Sequence, residues 1–121
     1  MKVWIAFLAM IALAPTFPDP AIAQGYGVGI RSCAEFAKLY TSDPSTAEDI
    51  YFTWAQGFMS GLNLASAANT GMYRSIEGTP AGMVAQKLRV RSYCDAHPLA
   101  QYLSAIMDLY NNLPAKKINS N

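Results

Sequence analysis

The sequence predicts an all-α protein, a small single-domain bundle of about four helices stapled by one disulfide. Apolar residues recur at helical spacing in four segments, and no segment shows the period-2 alternation of a strand bounded by turns. The chain also holds only two cysteines, Cys33 and Cys94. Because each helix must bury its apolar stripe, four short helices are expected to pack around one core.

The first 23 residues have the pattern of a cleaved secretory signal peptide. Lys2 precedes an apolar run at 3–14, and a small-x-small cleavage site ends at Ala23. This run of 12 apolar residues is too short to span a bilayer, which needs about 20. We therefore expect export to the periplasm, or secretion, without membrane attachment after cleavage. Residues 24–31 alternate glycine with other residues and are expected to form a flexible mature N-terminus.

The first helix is predicted over residues 33–40. Ser32 and Glu35 have the spacing of a capping box, and Cys33 and Phe36 begin an apolar face behind it.

The longest helix is predicted from Ser45 to residue 68. Ser45 and Glu48 repeat the capping-box spacing, and Asp49 also lies in the first turn, where acidic side chains complement the helix dipole. The predicted buried stripe consists of Ile50, Trp54, Phe58, Leu62 and Ala65.

Gly57 and Gly61 lie four residues apart within this helix. Glycine costs about 1 kcal/mol per helical position and is usually retained for a packing or site reason. One hypothesis is the close approach of another helix of the bundle. The alternative is a pocket or partner groove over the bare backbone, with Trp54 and Phe58 beside it.

Two further helices complete the predicted domain, which spans 32–113. Thr79 and Pro80 mark the start of the third helix after a loop at 72–78, and Val84, Leu88, Val90 and Cys94 are expected to face inward. His97 precedes proline and so leaves the α region, after which Pro98 begins the fourth helix. The apolar stripe of this helix consists of Leu99, Tyr102, Leu103, Ile106, Tyr110 and Leu113. Residues 114–121 are expected to be a frayed tail.

The stretch SYCDAHPL at 92–99 brings Cys94, Asp95 and His97 together in sequence. A structural zinc site needs four ligands, more than the cysteines and the single histidine of this chain supply, so neither a metal nor another cofactor is expected. A thiol nucleophile would need the imidazole within hydrogen-bond reach. An exported protein with two cysteines is instead expected to pair them, which predicts a Cys33–Cys94 disulfide and no enzymatic activity. His97 is then expected to cap the last helix or to sense pH.

The charge balance bears on the partners of the protein. Nine basic and eight acidic side chains give a net charge of +1, without the basic footprint that nucleic-acid binding requires. We therefore do not expect nucleic acid as a partner. A homodimer and a small-molecule carrier with a cavity between the second and fourth predicted helices are left open by the sequence.

The segments SCAEF at 32–36 and YCDAHP at 93–98, behind a signal peptide, resemble the HdeA/HdeB family of small periplasmic acid-stress chaperones. In that family a single disulfide joins similar segments of an all-helical domain. The resemblance implies a protein that loosens at low pH and binds unfolding clients through apolar side chains. Its pH-responsive groups would be Glu35, Glu48, Asp49 and His97, and its client-binding residues would be Trp54, Phe58, Leu103 and Ile106.

A second resemblance rests on the Gly57/Gly61 helix and the His-Pro start of the last helix. Both features are similar to those of Tai-type immunity proteins, periplasmic helical domains that bind and neutralise a secreted effector. This resemblance implies a constitutive protein-binding module that uses the face of Gly57 and Gly61 or the segment 72–78.

Overall fold

The computed structural model describes residues 25–76 and 78–119, so the predicted signal peptide lies outside the described residues. Its helices are α1 (Cys33–Ser42), α2 (Pro44–Ala47), α3 (Thr53–Thr70), α4 (Pro80–Ala96) and α5 (Tyr102–Asn112). A π-helical turn (Glu48–Phe52) joins α2 to α3 without leaving the helical region of the backbone. The described chain therefore contains four continuous helical rods, and the predicted all-α bundle is confirmed.

A disulfide joins Cys33 at the start of α1 to Cys94 near the end of α4, with the two Cα atoms 4.8 Å apart. This confirms the predicted pairing. Both cysteines are buried in the core, where the rings of Phe36, Tyr51 and Tyr102 pack against one another with centroids 4.8 to 5.1 Å apart. Because such aromatic contacts add to simple burial, this cluster and the disulfide hold α1, the π turn, α4 and α5 together.

Local signals at the helix starts are mostly as predicted. The Ser32 side chain accepts from the Glu35 N–H, and a Glu35 carboxylate oxygen accepts from the Ser32 N–H at 2.8 Å, which confirms the capping box. The prediction of a second capping box, formed by Ser45 and Glu48, is wrong. Asp43 is the N-cap there, accepting from the Thr46 N–H, and Pro44 occupies the first helical position, so the helix begins one residue before Ser45.

The buried stripe of α3 is rotated from the predicted one. Core residues are Tyr51, Phe52, Ala55 and Met59, whereas Ile50 and Ala65 are exposed and Trp54 is half-buried. The π-helical turn explains part of this difference because it places an extra residue in one turn, which shifts the register of every later side chain.

Three other predicted core positions, Val84, Leu88 and Leu99, are wrong. Val84 and Leu88 are exposed because α4 packs through the line formed by Gln86, Val90 and Cys94. Leu99 is 93% exposed, because residues 98–101 form a turn outside any helix whose Ala100 carbonyl accepts from the Cys33 N–H. The last helix consequently begins at Tyr102, not at Pro98.

A small antiparallel sheet adds to the helices. Strand β1 (Met72–Arg74) pairs with β2 (Ala115–Lys117), with Tyr73 opposite Lys116. The predictions of a loop at 72–78 and of a frayed tail from residue 114 are therefore wrong for these strand residues. The Asn63 side chain of α3 donates to the Arg74 carbonyl and accepts from the Arg74 N–H at 2.7 Å, so a helix side chain satisfies the outer edge of β1.

Candidate binding surface

The outer face of α3 is open at both glycines. Gly57 and Gly61 are exposed, and a Cβ atom built on either one would have no heavy atom of a described residue within 4 Å, apart from its own helix backbone and chain neighbours. The hypothesis that these glycines permit close packing of another helix of the bundle is therefore wrong. The alternative hypothesis was a partner groove over the bare backbone, and both glycines are accessible to such a partner.

This face is also uncharged. The whole of α3, TWAQGFMSGLNLASAANT, contains no acidic or basic residue. Leu64 projects from the same side with 75% of its surface exposed, and Ala65 and Ala68 extend the exposed row. A solvated helix face normally carries charged residues, and depletion of charge is typical of the centre of a protein interface. We call this surface, residues 57, 61, 64, 65 and 68, the α3 face.

Trp54 and Phe58 border the α3 face. Their rings are stacked, with centroids 5.3 Å apart and an interplanar angle of 10°, and both side chains are half-buried. Aromatic side chains beside an accessible apolar patch are common anchors in protein interfaces. The structure therefore brings together the four residues predicted for binding, namely Trp54, Gly57, Phe58 and Gly61.

The N-terminal segment covers the other side of Trp54. Gly29 lies in a 3-10 turn (Val28–Ile30) and is buried, and a Cβ atom on it would lie 2.1 Å from the indole ring. Gly27 adopts a φ of +87°, in the left-handed region that favours glycine. The prediction of a flexible segment is thus wrong for these residues. The alternation of glycine was the available signal, because glycine often marks a close backbone approach.

A polar network joins α1, the π turn and α4. Lys87 donates to the Glu48 carboxylate at 2.7 Å, and the Tyr40 hydroxyl donates to the same carboxylate at 3.5 Å. Arg91 in turn donates to the Tyr40 hydroxyl oxygen. Glu48 was predicted as a residue of a helix start and as a pH-responsive group. Its partners were not identifiable from the sequence because they lie on other helices.

Neighbouring groups lower the pKa values of two carboxylates at helix starts. The Ser32 backbone N–H, followed by the Arg31 guanidinium 2.9 Å away, lowers the pKa of Glu35. Hydrogen bonds from Thr46 lower the pKa of Asp43. In the core, burial raises the pKa of Tyr102. Asp49, another predicted pH-responsive residue, is exposed.

His97 ends α4. Its ring stacks on Tyr93 with centroids 4.4 Å apart, and its Nδ1 atom lies 2.9 Å from the Tyr93 carbonyl oxygen. The interpretation of His97 as a cap for the last helix is therefore wrong, since it is the C-terminal cap of the preceding one.

Cys94 cannot act as a thiol nucleophile while it forms the disulfide. Of the remaining predicted client-binding residues, Leu103 is half-buried and Ile106 is buried.

Two negative findings concern residues 25–76 and 78–119. No group of three or more His, Cys, Asp or Glu side chains in these ranges is placed to hold a metal ion. None of the helices described there combines the length and hydropathy needed to cross a membrane.

Comparison of the chain with protein-family models, curated proteins and solved structures finds no match.

Proposed function

We propose that this protein is a small exported binding module that holds a protein partner at neutral pH on the α3 face. The open backbone at Gly57 and Gly61 is the observation that carries the proposal. Each glycine weakens the helix by about 1 kcal/mol relative to alanine. No contact within the described fold compensates for this cost, so a contact outside the fold is the simplest reason for it.

The shape of the α3 face favours a partner helix or strand that lies across it. The two glycines leave a shallow depression along the helix, and Leu64 stands beside it as a projecting apolar side chain. The half-buried Trp54 ring offers a larger apolar anchor at the border. Since this geometry needs no acid-induced change, it supports a constitutive binding module of the kind that the resemblance to Tai-type immunity proteins implies.

Gly57→Leu is expected to reduce partner capture at pH 7 by about tenfold or more, because its side chain fills the depression that the partner would occupy. The measurement is quantitative pull-down from a periplasmic extract with the tagged mature protein. Ala81→Leu is the matched control, since Ala81 is also a small, exposed helical residue but lies in α4, outside the α3 face and the segment 72–78. Equal capture by the wild type and Gly57→Leu, with both proteins folded by near-UV circular dichroism, would refute the proposal.

A second candidate function is acid-stress chaperone activity, as the HdeA/HdeB resemblance implies. Specific support comes from two carboxylates at helix starts, Glu35 in the first turn of α1 and Asp43 at the N-cap of α2. Lowered pKa values of Glu35 and Asp43 mean that their ionised forms contribute stability above the unfolded pKa near 4, and that this stability is lost as pH falls through the folded pKa.

On this second candidate, near-UV circular dichroism is expected to collapse between about pH 4 and pH 2, while the intact disulfide keeps the chain compact. The protein should then suppress aggregation of an acid-denatured client at about pH 2.5. In a variant with both Glu35→Gln and Asp43→Asn, the free energy of unfolding should fall by less between these pH values, because two of the titrating groups are removed. Retained near-UV circular dichroism at that pH, with no protection of the client, would leave only the constitutive function.

A further inference from the structure

A groove of about 300 Å³ separates α1 from α4, and every residue that lines it belongs to one of these two helices. Phe36, Ala37 and Leu88 supply apolar surface. Arg91 and Asp95 supply opposite charges one helical turn apart on α4. None of these residues belongs to the α3 face, so the groove is a separate site.

Arg91 is the unusual member of the groove. Lys87 and Arg89, the other basic residues of α4, are ion-paired with Glu48 and Asp108 at 2.7 and 2.9 Å. Arg91 is half-buried and has no carboxylate within 4 Å among the described residues. One amino group donates to the Tyr40 hydroxyl, and the Nε atom is buried without a hydrogen-bond acceptor in the described part of the chain.

Tyr40 holds this guanidinium in place. The Cζ atom of Arg91 lies 4.8 Å from the centre of the Tyr40 ring, within the range of a cation–π interaction. The Tyr40 hydroxyl also donates to Glu48, whose other oxygen is engaged by Lys87. Tyr40 and Lys87 therefore share the Glu48 carboxylate, and Arg91 does not bind it directly. The planar guanidinium of Arg91 retains N–H donors suited to a carboxylate from outside the fold.

Asp95 restricts what that carboxylate can belong to. It is exposed, and it forms no ion pair with a described residue. A plain anion on Arg91 would be repelled by Asp95, whereas a molecule that also carries an ammonium group would be attracted by both charges. We propose that the groove binds a free α-amino acid with an apolar side chain, its carboxylate on Arg91, its ammonium group on Asp95 and its side chain against Phe36 and Leu88.

The volume agrees with this class of ligand. Small-molecule sites begin at about 300 Å³ and combine apolar walls with a few polar groups that fix orientation. The groove has that size and that composition.

The test is a titration of the ¹⁵N-labelled mature protein with L-leucine, followed by amide chemical shifts. Two analogues are matched controls: 4-methylpentanoate lacks the ammonium group, and 3-methylbutylamine lacks the carboxylate. Leucine is expected to give saturable shifts confined to residues around 36–41 and 88–95, and each analogue should bind about tenfold more weakly or worse. No saturable shift up to about 50 mM leucine would overturn the proposal.

Variants assign the two charges. Arg91→Gln and Asp95→Asn should each weaken leucine binding by about tenfold, whereas Arg89→Gln, which alters an ion-paired residue of the same helix, should leave it unchanged. If Arg91→Gln does not fold, Asp95→Asn decides alone, because Asp95 is exposed. Equal binding of 4-methylpentanoate and leucine, with tighter binding of the acid to Asp95→Asn, would overturn the amino-acid assignment in favour of a simple carboxylate site.

Discussion

Replacing both Cys33 and Cys94 by alanine is expected to lower the free energy of unfolding by about 4 kcal/mol. The disulfide closes a loop between positions 61 residues apart, and a loop of this length greatly restricts the unfolded chain. Single domains have a total stability of only about 5 to 15 kcal/mol, so the double variant should be close to unfolding at room temperature. Urea denaturation followed by far-UV circular dichroism measures the change.

Reduction of the wild-type disulfide provides the control for the alanine side chains. Both cysteines are fully buried, so the double variant also loses packing in the core, whereas the reduced wild type loses only the covalent link. The reduced protein should therefore lie between the oxidised wild type and the double variant in its denaturation midpoint. Coincident midpoints for the oxidised and reduced wild type would show that the link contributes little, and the stability would then have to reside in the aromatic core around Tyr102.

Features encoded in short sequence windows were predictable. The capping box of Ser32 and Glu35 and the Thr79–Pro80 start of α4 depend on residues within one helical turn, so spacing alone identifies them. The Cys33–Cys94 pairing followed from the number of cysteines and the expected oxidising compartment. Four helices in one domain then followed from apolar periodicity.

Features that depend on contacts between distant segments were not predictable. Periodicity marks an apolar face but cannot decide between two overlapping faces, so Val84 and Leu88 were assigned to the core instead of Gln86. The π turn before α3 changes the register without a sequence signal that spacing could detect. Strand β2 forms in a polar tail because Asn63, over fifty residues earlier, fixes the position of its partner strand.

The candidate site divides in the same way. The spacing of Gly57 and Gly61 identified the α3 face, but only the fold shows that no helix of the described bundle covers it. Arg91 was not among the predicted site residues, since nothing in the sequence places Tyr40, Glu48 and Arg91 in one network. A local sequence pattern can thus predict an exposed surface. A groove that contains a pair of charges can be recognised only once the packing of two helices is known.

Gly29→Ala is expected to lower the free energy of unfolding by about 3 kcal/mol, the upper part of the range for overpacking a filled site. The added methyl group would lie 2.1 and 2.2 Å from two carbon atoms of the Trp54 ring. That ring cannot move away freely, because it stacks on Phe58 and meets the edge of the buried Tyr102. The 3-10 turn must therefore lift from α3, or the ring must leave its place.

Fluorescence distinguishes this local effect from general destabilisation. Trp4 and Trp54 are the two tryptophans of the chain, so protein without the predicted signal peptide reports on Trp54 alone, and its emission should shift to longer wavelength in Gly29→Ala as the ring gains solvent. Gly57→Ala is the matched control: the same methyl group enters open space in a helix and should raise stability by about 1 kcal/mol. Opposite signs at the two glycines would establish that one is required by packing inside the fold and the other is not. An unchanged emission maximum and unchanged stability in Gly29→Ala would mean that the N-terminal segment does not rest on Trp54 in solution, and Trp54 would then join the accessible α3 face.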